Sequence, residues 1–193
     1  LDGNLRVDLA AWRACDAAGL QLLPTTDVHD ATLVDLYLHG DHEEKAILLR
    51  CMAFLPVSPA TVQRFGVGQR TNTATHFEAG SLDSNLVVRA LREGGEDTGF
   101  TRDDFHRMVL KGAFLDLPSW RMFGALDEAD AALSEMLRDY ATEREAAGRS
   151  TWIDTDRFLG RAPVAGTVAR LLGGLEHGDD STRLAAAEGL LAL

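Results

Sequence analysis

Seven polar residues that lie beside apolar runs are the part of this sequence best suited to binding chemistry. They are Arg50, Arg70, Asn72, Glu78, Lys111, Tyr140 and Arg144. Guanidinium and ammonium groups recognise carboxylates and phosphates through charge-assisted hydrogen bonds. If these side chains converge, they form a cationic pocket for a small anionic ligand, and this pocket is the predicted binding site. For each residue taken alone, the structural alternative is a salt bridge or a helix cap.

Lys111 is the most unusual of the seven because it stands within an apolar run. In residues 108–118, MVLKGAFLDLP, Met108 and Val109 fall on one face of a helix and Leu110 and Phe114 on the other. A helix that is apolar nearly all round is predicted to lie in the middle of a fold. Its lysine must then snorkel to solvent, pair with a carboxylate or line a cavity. General tendencies for buried charge favour the structural roles over the cavity.

The sequence shows no recognisable catalytic or metal-binding motif. His39 and His42 straddle a turn at Gly40, so a capped, solvated corner is favoured there over a zinc site. The glycine-rich residues 66–72, GVGQRTN, follow no hydrophobic strand and lack the GxGxxG spacing, which disfavours a phosphate-binding loop. We therefore predict no catalytic residue, no metal ligand and no cofactor.

The composition is that of a globular protein with an acidic surface. The 193 residues are 46% hydrophobic and carry a formal net charge of −11. This charge argues against nucleic-acid binding and against docking on an anionic membrane, and no apolar run is long enough to insert directly into a bilayer. Cys15 and Cys51 lie alone in apolar, helix-like surroundings, so they are predicted to be reduced, buried thiols of an intracellular protein. A disulfide between them is the disfavoured alternative.

The helical periodicity predicts an all-α fold of about eight to ten helices. Asp41 with Glu44, and Thr101 with Asp104, have the spacing of capping boxes. We expect one domain over residues 1–193, built as a compact array of antiparallel helical hairpins with the character of a HEAT-like α-solenoid. The HEAT-like unit is clearest at residues 164–193, where an Asp-containing turn precedes Arg183 at the start of a helix.

Four segments of the chain together resemble the EboA family of bacterial proteins. They are GDHEEKAILLRCMAFLP (40–56), RTNTATHFEA (70–79), MVLKGAF (108–114) and LSEMLRDYATEREAAGR (133–149), within a resemblance that covers roughly residues 40–163. The positions that match the family are Asp41, Arg50, Arg70, Asn72, Glu78, Lys111, Tyr140, Arg144 and Arg149. Because Glu78 is one of them and follows Phe77, which is predicted to face inward, Glu78 is the predicted partner of Lys111.

The EboA resemblance implies a cytoplasmic helical protein that assists the traffic or handling of secondary-metabolite precursors. Its implied partners are other proteins of a metabolite-traffic cluster, among them a prenyltransferase-like membrane enzyme and hydrolase- or isomerase-like proteins. The leading hypothesis is a non-enzymatic binding or scaffold protein whose ligand is a small anionic or terpenoid-like metabolite. One alternative is an enzyme acting on a phosphorylated or terpenoid-like intermediate, with Lys111 and the arginines in a cationic pocket. The other is a structural adaptor without a small-molecule site.

Overall fold

The structure is a computed structural model that describes residues 9–23, 30–55, 58–59, 73–83, 91–92 and 99–193. Within these ranges it has nine α-helices and no β-strand, so the all-α prediction is confirmed. The helices are α1 (Ala14–Leu22), α2 (Asp30–His39), α3 (His42–Cys51), α4 (Ala74–Glu78), α5 (Arg102–Phe114), α6 (Ala131–Ala146), α7 (Thr155–Arg161), α8 (Thr167–Leu175) and α9 (Asp180–Ala192). Shorter 3₁₀ helices span Leu9–Ala11, Met52–Phe54, Ser119–Arg121 and Ala125–Glu128, and a π-helical turn spans Ala79–Asp83. None of the helices in this part of the chain has both the length and the apolar character that crossing a membrane requires.

Several helix ends lie where local sequence signals predict them. The Asp41 carboxylate accepts from the backbone N–H of Glu44 at 2.9 Å, and the Glu44 carboxylate accepts from the backbone N–H of Asp41 at 2.7 Å. Thr101 and Asp104 form the same reciprocal bonds at the start of α5. These caps satisfy backbone donors that have no partner inside the helix. At its other end, α6 stops before Gly148, whose φ of 66° is the left-handed conformation that glycine adopts without strain.

The contacts divide the chain into two compact units. Unit 1 is Leu1–Met108 with Arg121–Phe123, and unit 2 is Val109–Trp120 with Gly124–Leu193. The single-domain arrangement stays a prediction.

In unit 1, α3 is the central helix, and α1, α2, α4 and the π-helical turn pack against it. Leu49 and Cys51 of α3 are fully buried, as is Phe77 of α4, which faces inward as predicted. The helix α1 runs through Gly19 and ends at Leu22. Close packing accounts for a glycine at this position, because a Cβ at Gly19 would lie 2.6 Å from Ile47 Cγ2 on α3.

In unit 2, α7 packs against α6, α8 and α9, and α8 also packs against α9. The predicted turn between α8 and α9 is present: Asp179 accepts from the backbone N–H of Thr182 at 2.9 Å, and Arg183 Nη1 donates to His177 O at 2.8 Å. The pair thus has the Asp-containing turn and the early arginine, while the HEAT-like solenoid arrangement stays a prediction.

The prediction that α5 is enclosed on both sides is wrong at its C-terminal end. Phe105, Met108 and Val109 are buried, but Phe114 is 70% exposed and Lys111 is half-buried. The sequence pattern identifies apolar side chains, but it does not show whether a neighbouring element covers each face. The same limit applies to α6, where Leu133 and Leu137 are buried while Met136, three residues after Leu133, is 38% exposed.

The closest approach of α7 and α9 provides a test of the packing in unit 2. A Cβ at Gly160 would lie 2.2 Å from the carbonyl oxygen of Gly189, and backbone at this contact has no room to yield. We expect Gly160→Ala to lower the free energy of unfolding by roughly 3 kcal/mol, the upper end of the cost of overpacking. Urea unfolding of the variant and wild type measures this change.

Gly173→Ala is the matched control, because a Cβ at Gly173 of α8 would meet no neighbouring atom within 4 Å. The gain in helix propensity should raise stability there by about 0.5–1 kcal/mol. Equal stability of the two alanine variants would contradict the α7–α9 contact.

Candidate functional site

A buried network of charged side chains joins the elements of unit 1. Arg50 on α3 donates through Nη1 to Asp16 of α1 at 3.2 Å and through Nε to Asp83 of the π-helical turn at 2.9 Å. Asp83 also accepts from Arg121 Nη2 at 2.7 Å, and Arg121 Nη1 donates to Glu78 of α4 at 2.9 Å. Asp16 and Asp83 are fully buried. Because a buried charge is costly unless it is paired, this network determines how the elements of unit 1 pack.

Two flanking contacts extend the network toward solvent. Arg13, the residue before α1, binds Asp16 with its side chain and its backbone N–H, and its side chain also pairs with the exposed Glu43.

Burial alone would raise the pKa of Asp16, but the hydrogen bonds from Arg13 hold that pKa below its usual value. At Asp83, burial is the stronger effect and raises the pKa despite the two arginines. Both arginines nevertheless stand in ion-pair geometry with these carboxylates.

The predicted site residues are distributed as follows. Arg50 and Glu78 belong to one network, linked through Asp83 and Arg121. Tyr140 and Arg144 meet in α6, where the guanidinium lies 5.8 Å from the ring centroid. Arg70 and Asn72 lie outside the described residues. A common pocket for the seven residues therefore stays a prediction.

Lys111 and Glu78 were predicted to pair, and the structure gives Glu78 another cation. The carboxylate of Glu78 is bound by Arg121 at 2.9 Å. Burial lowers the pKa of the Lys111 ammonium, because a low dielectric disfavours its charged form. Lys111 and Glu78 belong to different units, so their pairing stays a prediction.

The sequence reasoning missed Asp16, Asp83 and Arg121, which complete the network. Each ion pair of Arg50 and Arg121 joins residues between 33 and 43 positions apart. No local motif marks such partners. The one available signal was the position of Asp16 and Asp83 within runs that otherwise read as apolar helix faces.

The side chains of His42 and His76 pack against each other in unit 1. The rings of His42 and His76 stack with centroids 4.0 Å apart, and His76 Nε2 lies 2.8 Å from His42 O. His39 stays at the surface beside Asp35. Over the described ranges, no three His, Cys, Asp or Glu side chains come together in the way a metal site requires.

Each unit contains a cleft large enough for a small molecule. The unit 1 cleft, between α1, α2 and α3, has a volume of about 440 Å³. It is lined by Gly19, Leu22, Leu23, Asp35, Leu36, His39, Gly40, Glu44, Ile47, Leu48 and Cys51. The unit 2 cleft, also about 440 Å³, lies where α6, α7, α8 and the start of α9 meet. The first is mainly apolar, whereas the second is lined mainly by polar and charged residues.

Cys15 corrects the prediction of two buried thiols. Both cysteines are unpaired, but Cys15 is exposed and only Cys51 is buried. The reason is the ion network, which turns Asp16 inward and so leaves the neighbouring Cys15 outside. Cys51 Sγ donates to Asp16 O at 3.7 Å, and burial raises the pKa of this thiol to about 11.

The cysteines should therefore differ in reactivity. The thiolate is the reactive form, and Cys51 holds little of it near neutral pH, whereas Cys15 is accessible to reagent. Native labelling with a thiol reagent should modify one residue quickly, and Cys15→Ser should abolish this fast phase. Fast labelling that persists in Cys15→Ser would contradict the burial of Cys51.

The ion network predicts that Arg50→Met lowers the stability of the protein. The change leaves Asp16 and Asp83 buried with one cation each, Arg13 and Arg121. Removing one member of a buried ion pair costs roughly 3–5 kcal/mol, and we expect the lower end because each carboxylate keeps a partner. Thermal or urea unfolding measures the loss.

Arg107→Met is the matched control for Arg50→Met. Arg107 is exposed in the same unit, and its pair with Asp104 spans 3.5 Å at the surface. Such pairs contribute about 0–1 kcal/mol. If Arg50→Met were no more destabilising than Arg107→Met, the network would not be what holds unit 1 together.

Comparison with protein families gives a match over most of the chain. A family model described as "Metabolite traffic protein EboA" matches residues 18–157. No curated protein and no solved structure is significantly similar to the chain. The match begins within α1 and ends in the first turn of α7. It includes His42, His76 and the residues of the ion network that follow Asp16 in the chain. It confirms the resemblance seen in the sequence, and the chain belongs to the EboA family of metabolite traffic proteins.

Proposed function

We propose that this protein is a non-enzymatic binding or scaffold protein that assists the traffic or handling of secondary-metabolite precursors. The family description supports a role in metabolite traffic. The observation that carries the binding role is the unit 1 cleft, whose volume of about 440 Å³ lies within the roughly 300–1,000 Å³ of small-molecule sites. Other proteins of a metabolite-traffic cluster are its proposed partners.

The lining of the unit 1 cleft favours a terpenoid-like ligand. Leu22, Leu36, Ile47 and Leu48 supply apolar surface from three helices. Burying each methylene of a ligand against such surface contributes about 0.8 kcal/mol. The charged lining includes the carboxylates of Asp35 and Glu44, which disfavour an anionic group in this cleft. A neutral isoprenoid therefore fits better than a diphosphate ester.

Within this proposal, Arg50 acts as a positioning residue. Its guanidinium is bound by Asp16 and Asp83, and its side chain is 7% exposed. It therefore ties α1 to α3, the helices that supply two walls of the cleft. Its charge, which was predicted to bind a ligand, is instead paired with carboxylates of the protein itself. The role of the seven predicted residues as one ligand site remains part of the proposal.

One observation favours the alternative of an enzyme acting on a phosphorylated or terpenoid-like intermediate. Burial lowers the pKa of Lys111, and a lysine with a lowered pKa is better suited to acid–base chemistry at neutral pH. The two functions differ in what becomes of the ligand. A binding protein releases it unchanged, whereas an enzyme converts it.

Farnesol is a suitable probe for the proposed function. We expect saturable binding by the full chain in isothermal titration calorimetry, and recovery of unaltered farnesol by mass spectrometry after incubation. Farnesyl diphosphate should bind more weakly, because its charge would meet Asp35 and Glu44. Absence of farnesol binding would contradict the proposed site, and a converted product would favour the enzyme.

Two leucines of α2 provide matched variants for this titration. Leu36 lines the unit 1 cleft and is 50% exposed, whereas Leu38 is 58% exposed and does not line it. A tryptophan at position 36 fills the cleft, so Leu36→Trp should weaken farnesol binding at least about tenfold, or about 1.4 kcal/mol. Leu38→Trp should leave it unchanged. Equal effects would show that farnesol binds elsewhere.

A further inference from the structure

The unit 2 cleft has a chemistry of its own. It is lined by Glu145, Arg149, Ser150, Thr151, Trp152, Ile153, Asp156, Arg170, Gly173, Gly174, His177 and Thr182. Arg170 and the residues after it lie beyond the family match, which ends at residue 157. The family match therefore covers only part of the lining, and the family description assigns no role to this cleft.

Both carboxylates that line the cleft are already paired with a cation. Arg170 Nε donates to Asp156 Oδ1 at 2.7 Å, and its Nη1 donates to Glu145 Oε1 at 2.9 Å. Together these bonds join α8 to α7 and to the end of α6. The Nη2 group of Arg170 makes no hydrogen bond among the described residues and can donate to another group. Each carboxylate is thus bound by Arg170 through one of its two oxygens.

Several hydrogen-bond donors that line the cleft can still bind a ligand. Arg149 follows Gly148 just after α6. Its backbone N–H donates to Arg144 O at 2.9 Å, which fixes the backbone at this position. Its guanidinium is exposed and makes no ion pair in the described part of the chain. His177 Nδ1 accepts from the backbone N–H of Asp179 at 3.2 Å. A neutral His177 ring therefore carries its proton on Nε2, which is a donor. Ser150 and Thr151 also line the cleft, and their hydroxyl groups can each donate one hydrogen bond.

The glycine pair of α8 shapes one wall of the cleft. A Cβ at Gly174 would lie 2.7 Å from Ala186 Cβ on α9, so this glycine allows the helices to pack. A Cβ at Gly173 would meet no neighbouring atom within 4 Å, although this residue lines the cleft. Gly173 therefore borders open space, and a larger side chain there would occupy the cleft without displacing α9.

We propose that the unit 2 cleft binds a small anionic metabolite, whose carboxylate or phosphate accepts from Arg149, the remaining nitrogen of Arg170 and His177. Donors without partners next to acceptors that are already bound recognise an acceptor-rich, negatively charged group. The site differs from the unit 1 cleft in position and in ligand class. It does not rest on the proposed function, since a binding protein and an enzyme could each hold an anion there.

The test is calorimetric titration of the full chain with inorganic pyrophosphate and, separately, with succinate. We expect saturable binding of at least one probe, and the better one identifies the source of the anion as phosphate or carboxylate. Choline, a cation of comparable size, should not bind. Arg149→Gln should weaken anion binding at least about tenfold, since a hydrogen bond to a charged group is lost. Gly173→Leu should weaken it similarly by filling the cleft.

Two matched variants serve as controls. Arg161→Gln removes an exposed arginine that lines a different cleft of unit 2 and should leave anion affinity within about twofold of wild type. The unit 1 variant Leu36→Trp should also leave it unchanged, so this proposal and the farnesol proposal can fail separately. If Gly173→Leu does not fold by thermal melt, Arg149→Gln decides alone. No saturable binding of either anion, binding of choline in their place, or an equal loss in Arg161→Gln would overturn the proposal.

Discussion

Unit 1 depends on one constraint, which is that the buried guanidinium of Arg50 must have carboxylate partners. An unpaired charge in a protein interior costs far more than any single packing contact contributes. Asp16 and Asp83 meet this need from α1 and from the π-helical turn, at 3.2 and 2.9 Å. Since Asp83 also binds Arg121, and Arg121 binds Glu78, the packing of α4 follows from the same requirement.

The network also explains features of α1 that apolar periodicity alone gets wrong. Periodicity places Cys15 on the buried face of the helix. Pairing with Arg50 instead turns Asp16 inward, and Cys15 becomes exposed. The approach of α1 to α3 then requires a residue without a side chain at Gly19, where Ile47 would collide with a Cβ. The unit 1 cleft begins at this same glycine, so the ion pairing determines where a ligand could lie.

The sequence predicted the parts of this structure that depend on neighbouring residues. The capping boxes of α3 and α5 were identifiable because Asp41 and Glu44, like Thr101 and Asp104, are three positions apart. Arg50 and Glu78 could be recognised as polar residues beside apolar runs, but their ion-pair partners could not be identified. A chain with 30 acidic and 19 basic residues offers many pairings, and only the fold selects among them. For the same reason the periodicity of α5 identified Phe114 as apolar but could not show that its side chain is 70% exposed.

Arg50 and Arg149 show why a residue type does not define a binding site. Both lie within the residues that the family model matches, and both carry a guanidinium. Arg50 is buried between two carboxylates, so its hydrogen-bonding capacity stabilises the fold. Arg149 is exposed beside carboxylates that Arg170 already occupies, so folding leaves its donors to solvent. A ligand that competes with water for an exposed donor displaces no structural bond, whereas a ligand of Arg50 would have to replace two. In this protein, anion recognition is therefore expected where a cation lies beside carboxylates that are already paired.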